Sequence, residues 1–256
     1  MQENFKNLNS KEAIELLPNL SDSDLKLIID GDYKKAVIAS AKREVKKREE
    51  IKRVKALYDF QETIAAKPGC TILGLDEVGR GPLAGPLTVG GVVIKEIVLG
   101  LNDSKKLSAK KREEVAKDIK EKAITYKTFS IPPSYIDQLG MTECLKRAFA
   151  NVVKQIEEEV KVDIILLDGN PLYFDSREVN VIKGDSKCAS ISAASIVAKV
   201  ERDTYMESIS DKYPEYNFVS NKGYGTSEHI DAIKKYGLSP IHRKSFCTSF
   251  MQETLF

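Results

Sequence analysis

Residues 70–75 form a short apolar run that is followed at once by two carboxylates and a glycine-rich loop, and this segment constrains the fold more than any other. A short, continuous apolar run is typical of a strand buried in a sheet. A carboxylate at the end of such a strand loses water on folding and therefore needs a cation or a hydrogen-bonding partner. The sequence thus predicts that Asp76 and Glu77 lie at a buried sheet edge beside a site for a divalent cation.

The loop that follows these carboxylates begins with Gly79, Arg80 and Gly81. Glycine can adopt positive φ and allows the backbone to approach a ligand closely. The arginine guanidinium is a planar donor that suits phosphate oxygens. We therefore expect these three residues to contact a nucleic-acid backbone, although an ordinary tight turn uses the same residue types. A P-loop is excluded, because residues 79–86 lack the Gly-Lys-Ser/Thr ending.

The chain changes character near residue 69, because strand-like runs occur only after that point. The predicted strands are residues 70–75, 87–94, 126–131, 163–167 and 179–182. The predicted helices are residues 108–123, 133–139, 142–160, 190–213 and 226–236. Strands in close succession, followed by helical crossovers to two further strands, predict an α/β domain over residues 69–256, with helices covering a mixed sheet.

Residues 1–68 are predicted to form a small, all-helical N-terminal module. Ser10 and Ser21 are candidate N-caps of two short helices, and residues 33–66 form one long segment without proline or glycine. The sequence Lys-Pro-Gly at 67–69 ends that segment. Residues 41–56 carry eight Lys or Arg residues against three Glu residues. This run predicts either a nucleic-acid-binding arm or an ordinary solvated surface.

Composition narrows the class of protein without revealing a substrate. The chain has 256 residues, 42% of them hydrophobic, and a formal net charge of +2, so any nucleic-acid interaction must depend on local patches. Its four cysteines form no Cys-x-x-Cys pair, so neither a zinc site nor a disulfide framework is expected. Without a signal-peptide core or an apolar run of membrane length, we expect a cytoplasmic protein with no membrane partner.

Asp168 is placed in the sequence much as Asp76 is, because it follows the predicted strand 163–167 and precedes Gly169. If the two strands are neighbours in the sheet, their carboxylates converge. Together with Glu77 they form a set of oxygen ligands that favours Mg²⁺ or Mn²⁺ over zinc. Acidic residues at strand ends are also common in solvated turns, so each carboxylate taken alone is compatible with a structural role.

Six separate segments give the chain a family resemblance through their order and spacing. They are Asp76-Glu77-Val78-Gly79-Arg80-Gly81, Asp103-Ser104-Lys105-Lys106-Leu107-Ser108, Leu167-Asp168-Gly169-Asn170, Lys183-Gly184-Asp185, Ala193-Ala194-Ser195-Ile196-Val197-Ala198-Lys199 and Gly223-Tyr224-Gly225-Thr226. In this order they resemble ribonuclease HII, over about residues 71–246. The resemblance implies the ribonuclease H fold, a five-stranded mixed sheet flanked by helices.

The resemblance also implies an activity and a cofactor. It implies an endonuclease that cuts RNA in RNA–DNA hybrids and at single ribonucleotides within duplex DNA, leaving 5′-phosphate and 3′-hydroxyl ends. Asp185 then completes, with Asp76, Glu77 and Asp168, a set of four carboxylates for two Mg²⁺ or Mn²⁺ ions. Asp185 would also serve as a turn residue before the helix that follows.

The resemblance implies further substrate-binding residues. Gly79, Arg80 and Gly81 would sense a ribose 2′-hydroxyl. Lys105, in preference to the adjacent Lys106, would neutralise a phosphate, and Lys199 would do so from its helix or else face solvent. Tyr224 stands between two glycines and would offer its ring to a sugar or base, unless it is a packed turn residue.

Two alternatives are open at this stage. The first is ribonuclease HIII, which has a different N-terminal platform and is not expected to carry Gly79-Arg80-Gly81. The second is a non-catalytic nucleic-acid-binding module on the same fold, against which the complete carboxylate set argues. His229 and His242 lack metal-ligand spacing and are expected to be structural or exposed. We expect the protein to act as a monomer.

Overall fold

The computed structural model describes residue 5, residues 8–65, residue 67 and residues 69–251. These residues divide into two compact units between Ala56 and Leu57. The division falls inside a long helix, twelve residues before the boundary that the sequence predicted at 68. Ala66, the last residue of the predicted long helix, and Pro68, in the predicted Lys-Pro-Gly stop signal, lie outside the described residues.

The first unit contains helices α1 (Ser10–Leu16) and α2 (Asp22–Asp30) and most of α3 (Lys35–Ile64). Ser21 caps α2 as predicted, since its side chain accepts a hydrogen bond from the Asp24 N–H. The prediction that Ser10 caps α1 is wrong. Asn9 is the N-cap, and it forms a capping box with Glu12, while Ser10 is the first helical residue.

A small apolar cluster holds these helices together. Leu17, Leu25 and Ile28 are buried against the beginning of α3, where Val37 and Ala41 face them. The unit therefore has a hydrophobic core of its own.

The basic surface of α3 is only partly neutralised within this unit. Arg48 pairs with Asp22 at 2.8 Å and with Glu44 at 3.0 Å, and Lys52 pairs with Asp22 at 2.9 Å. The following exposed residues form no ion pair with a described residue: Lys42, Arg43, Lys46, Lys47 and Lys55. Unpaired positive charge is thus concentrated in the middle of the helix.

The last turns of α3 belong to the second unit. The Tyr58 hydroxyl donates to the Glu96 carbonyl at 2.6 Å, and the Gln61 side-chain oxygen accepts from the Ser190 N–H at 2.9 Å. Leu57, Tyr58 and Gln61 are buried. A truncation that spares the second unit must therefore stop at residue 56.

The second unit is built on a mixed five-stranded sheet, which confirms the predicted fold class. Its strands are β1 (Ile72–Val78), β2 (Leu87–Val93), β3 (Thr125–Ile131), β4 (Ile164–Asp168) and β5 (Glu178–Val181). The order across the sheet is β3-β2-β1-β4-β5. The β1–β2 and β2–β3 pairs are antiparallel, whereas the β1–β4 and β4–β5 pairs are parallel.

Helices cover both faces of the sheet. The α-helices that follow β2 in this unit are α4 (Ala109–Lys122), α5 (Pro133–Leu139), α6 (Met141–Glu157), α7 (Ala189–Ser208), α8 (Phe218–Asn221), α9 (Ser227–Tyr236) and α10 (Lys244–Met251). Glycine allows α7 to approach closely, because a Cβ at Gly74 would lie 2.2 Å from the Ser190 carbonyl carbon and one at Gly90 would lie 2.6 Å from the Ala194 oxygen. Among the described residues, no helix has the length and apolar character needed to span a bilayer.

Strand β1 is longer than the sequence predicted, for a reason that matters to the site. Its parallel pairing with β4 ends at Leu75↔Leu167, but its antiparallel pairing with β2 continues to Val78↔Thr88. Asp76 and Glu77 are therefore still in the sheet, beyond the last β1–β4 pair. Asp168 occupies the position equivalent to Asp76 at the end of β4.

Candidate active site

A cleft of about 260 Å³ opens where β1 and β4 separate. Every predicted site residue except Asp185 lines this cleft, together with three further residues. Asp185 lies nearby. The cleft is lined by Asp76, Glu77, Val78, Gly79, Arg80, Gly81, Ser104, Lys105, Asp168, Ser195, Lys199 and Tyr224. Segments that are far apart in the sequence thus converge on one surface.

The carboxylates on the sheet side of the cleft have local hydrogen-bond partners. Asp76 is buried, and its Oδ1 accepts from the Glu77 N–H at 2.8 Å. Asp168 Oδ1 accepts from the Gly184 N–H at 2.6 Å, which fastens the segment before α7 to the end of β4. The adjacent register of β1 and β4 brings the two acids together, as the sequence predicted.

Burial and mutual repulsion disfavour negative charge on these groups. Burial, the neighbouring Glu77 carboxylate and Asp168 raise the pKa of Asp76 well above its ordinary value. Burial also raises the pKa of Glu77, although Arg80 opposes the rise. The pKa of Asp185 is raised by burial first and by Asp168 second. A cation placed among these groups would relieve both effects.

Ser195 is a residue of the cleft to which the sequence analysis gave no role. A hydrogen bond from its hydroxyl opposes the rise in the Asp76 pKa. Its oxygen also lies 3.0 Å from the Ser104 hydroxyl oxygen, so α7 and the 104–106 turn meet behind Asp76. Its place in the Ala193–Lys199 motif was visible in the sequence, but its contact with Asp76 depends on how α7 packs against β1.

Asp185 lies in the one-turn 3₁₀ helix Gly184–Ser186 and is buried. It is close enough to Asp168 for that carboxylate to raise its pKa, while Lys105 lowers it. Lys105 lines the cleft and is exposed, whereas Lys106 is not among the lining residues. The geometry therefore favours Lys105 over Lys106 as a contact for a molecule in the cleft.

The glycine loop forms the opposite wall of the cleft. Gly79 has φ +92°, and Arg80 is exposed, with its Nη1 donating to Glu77 Oε1 at 3.1 Å. A Cβ at Gly81 would meet no heavy atom of the described residues within 4 Å, so its side of the loop is open. The loop thus combines a backbone position that requires glycine with an accessible guanidinium.

Lys199 and Tyr224 complete this wall. The Lys199 ammonium donates to Asp203 at 2.6 Å and lies 5.8 Å from the centre of the Tyr224 ring. Burial lowers the Lys199 pKa, and Asp203 opposes the shift. Tyr224 is 41% exposed and presents its ring to the cleft. Lys199 is therefore mostly buried and paired with Asp203, and the Tyr224 ring is partly exposed.

Comparison with known proteins decides the family. The model of the family described as ribonuclease HII matches residues 73–249. The chain is 40% identical over 255 residues to the ribonuclease HII of Ruminiclostridium cellulolyticum, covering 98% of this chain and 97% of that protein. The chain belongs to the ribonuclease HII family. It is accordingly an enzyme, a ribonuclease H that acts on RNA–DNA hybrids, and the type HII assignment is favoured over ribonuclease HIII.

Solved structures support the same fold. The ribonuclease H2 of Pyrococcus horikoshii OT3 is 28% identical, with a TM-score of 0.61, and the match covers 72% of this chain and 98% of that one. Bst-RNase HIII, solved in complex with Mn²⁺, has a TM-score of 0.56 at 18% identity, covering 73% of this chain and 70% of that one. The second likeness supports the fold alone.

A metal ion fits the chemistry of this ribonuclease HII site but not the present side-chain arrangement. The acidic wall offers only carboxylate oxygens, and burial leaves Asp76 with a raised pKa that a hard cation would lower. Among the described residues, no three His, Cys, Asp or Glu side chains are gathered closely enough to hold an ion. Glu77 Oε1 accepts from Arg80, and Asp168 Oδ1 accepts from the Gly184 N–H.

Two histidines beneath Tyr224 are structural, which is one of the two outcomes expected for them. His229 and His242 are buried, with their Nε2 atoms 3.0 Å apart. His242 Nδ1 accepts from the Ser239 N–H at 3.0 Å, so its proton is on Nε2 and is donated to His229. His229 Nδ1 then donates to the Tyr224 carbonyl at 2.9 Å. This relay supports the turn that carries the Tyr224 ring, and no local pattern in the sequence signalled it.

Proposed function

We propose that this ribonuclease H cuts RNA strands in continuous hybrids and also cuts at single ribonucleotides embedded in duplex DNA, leaving 5′-phosphate and 3′-hydroxyl ends. The observation that supports this proposal is the pairing of two unlike walls in one cleft. Carboxylates form one wall. The other wall is formed by hydrogen-bond donors that suit phosphate oxygens and by an exposed aromatic ring. Such a cleft suits a phosphodiester held between cations and hydrogen-bond donors.

On this proposal Asp76, Glu77, Asp168 and Asp185 hold two Mg²⁺ or Mn²⁺ ions. Divalent cations held by these carboxylates would supply activation of the attacking water and stabilisation of negative charge on the leaving oxygen. The carboxylates set the position of that chemistry. Glu77 also affects Arg80, with which it forms an ion pair. When the Glu77 side chain binds an ion instead, the Arg80 guanidinium is released and can bind a phosphate oxygen.

The other wall orients the substrate. Backbone groups of Gly79, Arg80 and Gly81 hydrogen-bond to the ribose 2′-hydroxyl, a contact by which a protein distinguishes RNA from DNA. Lys105 and Lys199 offer positive charge to the phosphates. The Tyr224 ring packs against the sugar after the ribonucleotide, and it lies flush only where that sugar lacks a 2′-hydroxyl.

The test compares two substrates of equal length, a continuous RNA strand in a hybrid and a duplex DNA with one ribonucleotide. The wild-type chain should cut both with Mg²⁺ or Mn²⁺ and neither in EDTA. Tyr224→Ala should lower kcat/KM at the single ribonucleotide by roughly tenfold more than on the hybrid, because the variant cannot stack an aromatic ring on the sugar.

Tyr224→Phe is the matched control, because it keeps the ring and should keep the wild-type ratio of the two kcat/KM values. Equal losses on both substrates with Tyr224→Ala would assign the tyrosine to general binding. Failure of the wild-type chain to cut either substrate with either metal would contradict the proposed reaction.

A further inference from the structure

Two arginines are buried beneath the glycine loop without a carboxylate partner. Arg202, on α7, and Arg243, just before α10, both have 0% relative exposure. Within the part of the chain that the structure describes, neither forms an ion pair with an acidic residue. Arginine is rarely fully buried unless it is paired, so these side chains need another explanation.

Arg243 binds backbone carbonyls at both ends of the loop. Its Nη2 donates to the Gly79 carbonyl at 2.6 Å and to the Gly85 carbonyl at 2.9 Å, and its Nη1 donates to the Arg80 carbonyl at 3.1 Å. The backbone N–H of Arg243 donates to the Leu83 carbonyl at 2.8 Å. Arg243 therefore joins the two ends of the loop.

Arg202 connects the loop to the turn that carries Tyr224. Its Nε donates to the Pro86 carbonyl at 3.0 Å and its Nη2 to the Ala84 carbonyl at 3.0 Å. Its Nη1 donates to the Lys222 carbonyl at 2.9 Å, two residues before Tyr224. The same guanidinium lies 5.7 Å from the centre of the Tyr224 ring.

The glycines of the loop leave room for Arg202. A Cβ at Gly79 would lie 2.5 Å from Arg202 Nε, and one at Gly85 would lie 3.1 Å from Arg202 Nη2. Burial, and then the neighbouring Arg202 guanidinium, lower the Arg243 pKa to about 9, so Arg243 is still charged at neutral pH. Hydrogen bonds from charged donors are roughly twice as strong as neutral ones, which offsets part of the cost of burial.

We propose that Arg202 and Arg243 are positioning residues that hold the glycine loop and the Tyr224 turn as one rigid unit. Arg202 reinforces the direct backbone hydrogen bonds that the Leu83 and Ala84 N–H groups donate to the Gly223 carbonyl at 2.8 Å and 3.2 Å. This inference rests on the proposed function, in which the two elements recognise adjacent sugars. A fixed spacing matters most for a single ribonucleotide, where one ribose and the next deoxyribose must be recognised together. Selectivity for that substrate therefore depends on Arg202.

The experiment measures kcat and KM for Arg202→Lys in the full chain on the two substrates described above. Lysine keeps the charge but lacks the planar fork that reaches three carbonyls. The single-ribonucleotide kcat/KM should fall on the order of tenfold more than that for the hybrid, because small misplacements of binding groups cost one to two orders of magnitude. Most of the difference should lie in kcat.

Arg177→Lys is the matched control. Arg177 also makes several hydrogen bonds, to Asp175, Glu157 and the Val162 carbonyl, but it does not line the cleft. Its substitution should lower the melting temperature and leave the substrate ratio unchanged. Equal losses on both substrates with Arg202→Lys would overturn the inference, whereas a wild-type chain that cuts neither substrate would contradict the proposed function instead.

A measurement on the wild-type chain covers the case in which Arg202→Lys does not fold. Hydrogen exchange is followed in EDTA, with and without the duplex that contains one ribonucleotide. Backbone amides of residues 83–85 and 223–226 should be slowed by the same factor on binding, because one rigid unit opens as a whole. Protection of only one segment would overturn the inference.

Discussion

The two walls of the cleft are stabilised in opposite ways. On the acidic wall, burial and like charge raise the pKa of Asp76, and its hydrogen-bond partners are neutral groups. On the loop wall, the charges of Arg202 and Arg243 are directed at backbone carbonyls of the protein itself. The acidic wall therefore retains charge that a bound cation can neutralise, whereas the loop wall is already satisfied.

This difference assigns the two walls different effects on folding. The acidic wall lowers stability in the absence of metal and is suited to respond to an ion. On the loop wall, burial also disfavours charge and lowers the Arg243 pKa to about 9, but the hydrogen bonds of both arginines to backbone carbonyls offset part of that cost. They fix a shape before substrate arrives, which reduces the cost of binding. Substitutions on the acidic wall should remove activity without harming the fold, and substitutions on the loop wall should affect both.

The largest effect is expected on the acidic wall. Asp76→Asn removes a ligand charge and should lower kcat by roughly a thousandfold, since metal stabilisation contributes several kcal/mol. Because the Asp76 pKa is raised on folding, its ionised form destabilises the fold at neutral pH, so the melting temperature in EDTA should rise.

The exposed Asp231→Asn is the control and should change neither quantity. An Asp76→Asn variant with substantial turnover would contradict the metal assignment. A lower melting temperature for that variant would contradict the claim that the acidic wall lowers stability in the absence of metal.

The second effect concerns the histidine relay on the loop wall. Burial and His229 lower the pKa of His242 from 6.5 to about 4, so folding favours its neutral form. The contribution of neutral His242 to the free energy of unfolding is fully present above pH 6.5 and is lost as the pH falls towards 4. The free energy of unfolding should drop by roughly 2 kcal/mol between pH 7.5 and pH 5 from this group.

The variant His242→Gln should show a shallower pH dependence over the same interval, measured by urea unfolding at each pH. The carboxylates are common to both proteins, so the difference between the two curves reports the His229–His242 pair. Parallel curves would show that the relay is not held neutral by the fold.

The smallest effect concerns the exposed cations of α3, which differ from the buried arginines in having no described partner. Replacing Lys42, Arg43, Lys46 and Lys47 with Gln should make the plot of log K against log salt shallower by about 0.9 for each phosphate of duplex DNA that these side chains neutralise. Binding is measured in EDTA to prevent cleavage. Lys52→Gln is the control, because Asp22 already neutralises Lys52. An unchanged slope would identify this surface as merely solvated.

Much of the fold followed from local sequence patterns. All five strands and the helices of the second unit that the sequence predicted are present with shifts of a few residues, because short apolar runs and helical periodicity are local properties. Boundaries were less predictable. Asn9 and not Ser10 caps α1, and β1 extends to Val78 because β2 continues to pair with it.

The boundary between the units shows the same limit. The sequence placed it at the Lys-Pro-Gly segment, where the helical pattern stops. The structure divides the chain inside α3, because Tyr58 and Gln61 contact the second unit. A continuous helix carries no local signal of which neighbour each of its turns packs against.

The burial of one arginine follows from a local sequence pattern, whereas the burial of the other does not. Arg202 lies four residues from both Ala198 and Met206, so helical spacing alone puts it on the buried face of α7. Arg243 has no such pattern, since it lies outside regular structure between His242 and α10. Its role is visible only through its contacts with the loop.

The sequence by itself determined the strands, the carboxylates that follow them and the glycine loop with its exposed arginine, because each is encoded within a few neighbouring residues. The tertiary structure decided which groups support them. Arg243 reaches the Gly79 carbonyl across 164 residues of chain, and Ser104 meets Ser195 across 91. Contacts at such separations depend on how α7 and the 241–243 segment pack against the loop and the sheet, and no local pattern specifies that packing.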